Sequence, residues 1–166
     1  SKVSNATGYY VYRKPSSGGS WTKIATVKNS VSKYKDSKVT ANASYRYTVR
    51  AYYQASGKTY TSKYTTGPVI KAAPALQQVS SVKSEKNGIR VRWSTQKKCD
   101  GYYIYRKKKG GSYQLIKKIS NRNTATYLDK KAQKGVSYYY AVKAYVKEPY
   151  GNTYSKYKSS SVIKRK

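Results

Sequence analysis

In several short runs between Ile89 and Ala144 the apolar positions recur every second residue. Ile89, Val91 and Trp93 fall on one side of a run whose other side carries Arg90 and Arg92, and Asn87-Gly88 precedes it with the residues of a tight hairpin turn. Tyr102 and Ile104 alternate with Tyr103 and Tyr105, and Gly110-Gly111 turns the chain towards Leu115-Ile116 and Ile119. Thr124 to Leu128 forms another short run. Tyr138, Tyr140, Val142 and Ala144 alternate strictly, and a turn around Tyr150-Gly151-Asn152 leads to a last run reaching Val162-Ile163. A period of two over segments of this length predicts half-buried strands, and no segment keeps the 3.6-residue spacing of a helix. The fold class expected is all-β.

The pattern occurs twice. Gly8-Tyr9-Tyr10-Val11-Tyr12-Arg13-Lys14 returns as Gly101-Tyr102-Tyr103-Ile104-Tyr105-Arg106-Lys107, an offset of 93 residues. Gly18-Gly19-Ser20-Trp21 returns as Gly110-Gly111-Ser112-Tyr113 with one residue deleted between. The offset is again 93 at Tyr34/Tyr127, at Asp36/Asp129, through Tyr45, Tyr47, Val49 and Ala51, and at Val69-Ile70-Lys71. So many matches in one order define a duplication. Its period suits a whole sandwich domain of about 100 residues better than a solenoid repeat. The boundary falls near Ala72-Ala73-Pro74, giving modules at 1–73 and 74–166.

These residues resemble fibronectin type III-like modules, as repeated in surface and secreted proteins of Gram-positive, gut Firmicute-type bacteria. The resemblance rests on Pro74 and Leu76 opening a first strand, Trp93 closing the second, the Gly101-to-Arg106 strand, and the Gly135-to-Tyr138 approach to the Tyr138-to-Ala144 strand. It implies two tandem immunoglobulin/fibronectin III-like β-sandwiches. It also implies that Tyr138 and Tyr45 are tyrosine corners, with hydroxyls bonded back to nearby backbone. Module 74–166 has 27 residues before Gly101 and module 1–73 has seven before Gly8, so the first module is expected to lack its opening strands. Truncation of a longer polypeptide accounts for this, as does a strand-complementing partner that completes the first module.

Composition narrows the chemistry. The 166 residues include 36 Lys and Arg against five Asp and Glu, a formal charge of +31, with 22 Tyr and no His, Phe or Met. AT-rich codons enrich Lys, Tyr, Asn and Ile without functional selection, but they do not account for so few acids. A surface this cationic repels itself, and its natural neighbours are polyanions. Thirteen of the basic residues and one acid lie in 1–73, and 23 with four acids in 74–166, so the second module carries the denser field. Cys99 is the single cysteine, which rules out an intramolecular disulfide and reads as a small buried hydrophobe. No apolar run approaches the roughly 18 residues of a membrane span, so no membrane insertion is expected.

Catalysis lacks its parts. Without His, the acids Asp36, Glu85, Asp100, Asp129 and Glu148 are the remaining candidates. Asp36, Asp129 and Asp100 read as turn residues, and Glu85 and Glu148 as loop residues. No carboxylate pair, metal-ligand set or phosphate loop emerges, so neither enzymatic activity nor a cofactor or metal is expected.

Binding has better material. With Tyr102, Ile104, Tyr138, Tyr140 and Val142 turned inward, alternation turns Tyr103, Tyr105, Tyr139, Lys143 and Tyr145 outward on one sheet. The first module repeats this with Tyr10, Tyr12, Arg46, Arg50 and Tyr52. Rings interleaved with cations can stack sugars or bases and neutralise acidic groups. The same rings can also serve only the sheet, through cross-strand contacts. A second candidate is the run Lys107-Lys108-Lys109 with Lys117-Lys118 and the terminal Lys164-Arg165-Lys166, as a polyanion site. The expectation is a non-catalytic adhesive module of an extracellular or cell-wall protein, engaging an anionic polysaccharide or wall polymer, with nucleic acid bound only non-specifically. A passive spacer in an anionic wall and a module that binds a host protein, such as an immunoglobulin, are the alternatives.

Overall fold

A computed structural model describes residues 2–149 and 151–166. Tyr150, in one of the expected turns, lies outside the described residues. The chain divides into two compact units, Ser1–Ala72 and Ala73–Lys166. All regular elements among the described residues are strands, and no helix is long and apolar enough to cross a membrane.

The second unit is a two-layer sandwich. One sheet has the order β10-β7-β6-β13, built from β6 (Gln77–Glu85), β7 (Gly88–Trp93), β10 (Thr126–Asp129) and β13 (Tyr157–Lys158). The other has the order β12-β11-β8-β9, from β8 (Gly101–Lys108), β9 (Gln114–Ile119), β11 (Ser137–Val146) and β12 (Thr153–Tyr154), with β14 (Ile163–Lys164) also pairing with β11. The inward positions read from alternation meet between the layers: Ile89, Val91 and Trp93 pack with Tyr102, Ile104, Tyr138, Tyr140 and Val142. The last five are fully buried. Cys99 is buried beside them, its thiol 3.3 Å from the Gln96 carbonyl oxygen.

The first unit has β1 (Gly8–Pro15), β2 (Thr22–Lys28), β3 (Ser44–Ala55), β4 (Lys58–Thr61) and β5 (Val69–Lys71). They form one sheet, ordered β2-β1-β3-β4 with β5 on β3, and no second sheet stacks on it among the described residues. Its register copies that of β8, β9 and β11 down to the bulge, which falls after Val11 in β1 and after Ile104 in β8.

The duplication extends to hydrogen bonds. Tyr138 Oη accepts the Gln133 N–H at 3.1 Å and Tyr45 Oη accepts the Thr40 N–H at 3.1 Å, so both tyrosine corners are formed. Tyr102 Oη accepts from Gln96 N and Tyr9 Oη from Val3 N, each at 2.7 Å and each six residues back. At both strand starts a bare glycine lies beneath a tyrosine ring. A Cβ on Gly101 would collide with the Ile119 carbonyl and lie 2.9 Å from the Tyr145 ring, and one on Gly8 would meet Val27 and Tyr52 in the same way.

Three expectations need correction. Leu76 does not open a strand: it is 58% exposed and β6 begins at Gln77, whose side chain turns inward and bonds the Ser94 carbonyl at 2.9 Å. Glu85 lies at the end of β6 instead of in the loop, because its carboxylate pairs with Arg90 on β7 at 3.0 Å. Arg165 is not part of an exposed basic tail. It is buried, with its guanidinium donating to the carbonyls of Glu85, Lys86 and Gly88 at the β6–β7 turn.

Candidate binding face

Alternation along β8 and β11 and their antiparallel pairing bring the outward residues together. Cross-strand partners share a face, and the register sets Lys107 opposite Tyr139, Tyr105 opposite Ala141, Tyr103 opposite Lys143 and Gly101 opposite Tyr145. Tyr103, Tyr105, Tyr139 and Lys143 are half-buried on this outer face. Tyr145 shares the face but is only 5% exposed, which corrects its reading as an accessible ring. It fills the space over Gly101, and Tyr103 packs on it edge-to-face at 5.1 Å between centroids. Tyr154 of β12 packs on Tyr103 from another direction at 5.2 Å.

The lysines sit between rings. Lys143 Nζ lies 5.2 Å from the centroids of both Tyr105 and Tyr157. Lys107 Nζ lies 5.1 Å from Tyr113 and 5.0 Å from Tyr139, and Lys118 Nζ lies 5.3 Å from Tyr103. These distances are within the range in which a ring quadrupole attracts a cation. The Tyr103 hydroxyl is shifted below the usual tyrosine range, first through its hydrogen bond with Tyr154 and further by the Lys118 charge. Burial pushes Tyr105 and Tyr113 the other way.

The first unit builds a counterpart from different residues. Tyr10 stacks on Tyr52 with centroids 4.3 Å apart, and Lys23 Nζ sits 4.5 Å over the Tyr10 ring. Lys14 lies 5.0 Å over Trp21 and Arg50 5.8 Å over Tyr64, as Lys107 and Lys143 lie over Tyr113 and Tyr157 in the second unit. Tyr12 touches Tyr10 edge-on at 6.5 Å. Arg46 and Arg50 also donate to backbone carbonyls, of Gly67 at 3.3 Å and Ser62 at 2.8 Å, so their geometry is held by the loop they touch.

The lysine run is divided by the pleat. Lys107 opposes Tyr139 and Lys118 opposes Tyr103, which puts both on the outer face. Lys108 opposes Tyr138 and Lys117 opposes Ile104, which puts both on the other side of the sheet, and Lys109 lies in the turn. The five therefore do not make one patch. Sequence reading missed Trp21, Tyr64, Tyr113, Tyr154 and Tyr157. The pair Tyr64/Tyr157 sits at the 93-residue offset and was legible there; tertiary packing brings Trp21, Tyr64, Tyr113 and Tyr157 against the cations and Tyr154 against Tyr103.

Four of the acids serve the framework. Asp129 Oδ2 accepts from Arg106 at 2.9 Å and from the Tyr140 hydroxyl at 2.8 Å, while Oδ1 accepts the Lys131 N–H at 3.1 Å. Asp36 repeats this with Arg13 at 2.8 Å, Tyr47 at 3.0 Å and the Lys38 N–H at 3.0 Å. The turn role read from sequence is present in both, joined to an ion pair and a tyrosine. Burial opposes ionisation of Asp36, but the bonds from Lys38, Arg13 and Tyr47 outweigh it and hold the carboxyl below its usual range. Burial first, then the bond to the aspartate, raises the hydroxyls of Tyr47 and Tyr140. Asp100 accepts the Lys147 N–H at 2.7 Å and Glu85 holds Arg90.

The crystal structure of the chicken CNTN1 FN1-FN3 domains aligns over 96% of this chain and 56% of its own length, at 24% identity and a TM-score of 0.51. The fold is that of tandem fibronectin type III-like domains. A two-domain fibronectin type III segment from chicken tenascin aligns over 98% of this chain and 86% of its own, at 16% identity and a TM-score of 0.42. The chain spans little more than half the length of the CNTN1 structure. The sequence matches no family model and no curated protein. The outer face of β8 and β11 presents tyrosine ring surface and lysine ammonium groups set between those rings.

Proposed function

We propose that the chain is a non-catalytic binding module of an extracellular or cell-wall protein, of bacterial origin, which attaches to an anionic polysaccharide or wall polymer through the outer face of residues 73–166. The observation that carries this is the placement of Lys107 and Lys143, each between two tyrosine rings at 5.0 to 5.2 Å. A lysine on a bare surface samples many rotamers and loses that freedom when it binds. Rings on both sides hold the ammonium in place beforehand and offer apolar faces to the sugar rings that carry the acidic groups. The surrounding charge of the second unit concentrates polyanions near this face.

The test is binding of the full chain to immobilised poly(glycerol phosphate) and to a sulfated glycan across a salt series. Affinity is expected to fall steeply with salt, as counterion release requires. Lys107→Gln with Lys143→Gln is expected to weaken binding by about tenfold more than Lys97→Gln with Lys98→Gln, a loop pair of equal charge, because each fixed contact contributes about 0.7 kcal/mol. Equal losses would make the attraction a general property of the charge and leave the face a stabiliser of its own sheet. No binding to either polymer would leave a spacer.

A further inference from the structure

The outer face of the second unit contains a group of four side chains that the first unit repeats. Tyr113 and Tyr157 meet edge-to-face with centroids 5.7 Å apart, with Lys107 over the first ring at 5.1 Å and Lys143 over the second at 5.2 Å. In the first unit Trp21 and Tyr64 meet edge-to-face at 6.0 Å, with Lys14 over Trp21 at 5.0 Å and Arg50 over Tyr64 at 5.8 Å. Lys14, Arg50 and Tyr64 stand 93 residues before Lys107, Lys143 and Tyr157, and Trp21 matches Tyr113 through the Gly-Gly-Ser turn. At two of these places the residue differs between the copies, Trp against Tyr and Arg against Lys, and each time the ring or the charge is kept.

Other parts of the face do not repeat. Lys14 pairs across the sheet with Arg46, where Lys107 pairs with Tyr139. Lys23 opposite Tyr12 corresponds to Leu115 opposite Tyr105, and Thr26 opposite Tyr10 to Lys118 opposite Tyr103. Tyr10 stacks flat on Tyr52, whereas Tyr103 packs edge-on against Tyr145. A sheet tolerates such exchanges, because many kinds of cross-strand pair stabilise it. The local backbone does not impose the repeated group either: Tyr157 is held in β13, paired with β6, while Tyr64 lies in the loop between β4 and β5. Tyr64 is 45% exposed and Tyr157 39%, so much of each ring is open to a ligand.

We propose that Lys14, Trp21, Arg50 and Tyr64 form a second site for an anionic polysaccharide or wall polymer, so that the chain is bivalent. The inference rests on the function proposed for the outer face of the second unit. The site's residues come from β1, β3, the turn before β2 and the loop after β4, so the first unit supplies all of them. Arg50 donates its Nε–H to the Ser62 carbonyl at 2.8 Å, which places its guanidinium before a ligand arrives. Arg46 beside Lys14 adds a third cation where the second unit has the Tyr139 ring, so charge weighs more in the first site and stacking in the second. Two sites let one chain hold two stretches of polymer at once.

The test is calorimetric titration of the full chain with a short sulfated oligosaccharide at physiological salt. Two oligomers per chain are expected to bind, and one after either Lys14→Gln with Arg50→Gln or Lys107→Gln with Lys143→Gln. Lys33→Gln with Lys35→Gln, an exposed loop pair of equal charge in the first unit, is expected to leave both sites in place. In the Lys107→Gln, Lys143→Gln background only the first site is read. There Tyr64→Ser, a change at an exposed loop ring, is expected to weaken binding about threefold. The proposal is overturned, with the second-unit function intact, if a single oligomer binds and only the Lys107 and Lys143 changes remove it. It is also overturned if the Lys33 and Lys35 changes act like those at Lys14 and Arg50, or if Tyr64→Ser has no effect. A single oligomer removed only by the Lys14 and Arg50 changes would overturn both bivalency and the second-unit function, as would no binding.

Discussion

Val49 on β3 and Val142 on β11 stand at one position of a duplicated sheet, opposite Val11 and Ile104 respectively, yet the first is half in water and the second is sealed. Their strands share register, tyrosine corner and aspartate network. What differs is the layer above them. The second unit has β6 and β7, and Arg165 grips the turn between these strands. The first unit has Ala72 at the position equivalent to Arg165 and no strands above the face among the described residues. The shared local pattern therefore sets which way a side chain points, while burial depends on what the rest of the domain brings to that face.

A charge placed at the paired valines tests this difference most strongly. Val142→Asp is expected to cost on the order of 4 kcal/mol and to unfold the second unit, because a carboxylate there has no partner and no water. Val49→Asp is expected to stay within about 0.5 kcal/mol, as at other exposed sites. Urea denaturation of the full chain, followed by near-ultraviolet circular dichroism, measures both. Comparable losses would break the comparison by showing Val49 covered in solution.

The aspartates come next. Asp129 is 1% exposed and Asp36 8%, and Arg13 keeps a second acceptor in the Lys38 carbonyl at 2.8 Å. Asp129→Ala is expected to cost about 3 kcal/mol, leaving Arg106 and the Tyr140 hydroxyl without their shared partner, and Asp36→Ala about 1 kcal/mol. Thermal melting of the two variants separates these values, and a reversed order would mean that the open unit relies on its aspartate more than the closed one.

The smallest effect is alkaline. Tyr140 and Tyr47 are held protonated by burial and by their aspartates, and burial raises Tyr102 to about 12. Their contribution is complete below the unfolded tyrosine value of about 10 and is lost as pH rises through the raised folded values. Stability is therefore expected to decline above pH about 10. The decline is expected to be shallower in Tyr140→Phe and less altered in Tyr47→Phe, whose ring is less deeply buried. Denaturant midpoints at several alkaline pH values would show it, and identical slopes in both variants would remove the difference between the sites.

Much of this architecture is legible in the residues. The two-residue alternation of Tyr102/Ile104 and Tyr138/Tyr140/Val142 correctly assigns the buried face, because pleating is a local property of extended backbone. The resemblance implies the tyrosine corners at Tyr138 and Tyr45, and the 93-residue offset pairs these positions and the two aspartate turns. The candidate face was legible in part. Tyr103, Tyr105, Tyr139 and Lys143 share it as their spacing requires, but Tyr145 is covered, because Gly101 opposite it leaves a space only a ring fills. Lys108 and Lys117 are turned away by the same alternation that places their neighbours outward.

By itself, the sequence determined the duplication, the main strands and which way their side chains alternate, since these follow from side-chain spacing and turn residues along a few consecutive positions. Tertiary structure decided which copy of each apolar position is shielded, which rings of neighbouring strands and turns close over Lys107 and Lys143, and that Arg165 is buried. Those outcomes depend on contacts between segments far apart in the chain, and no local spacing encodes them.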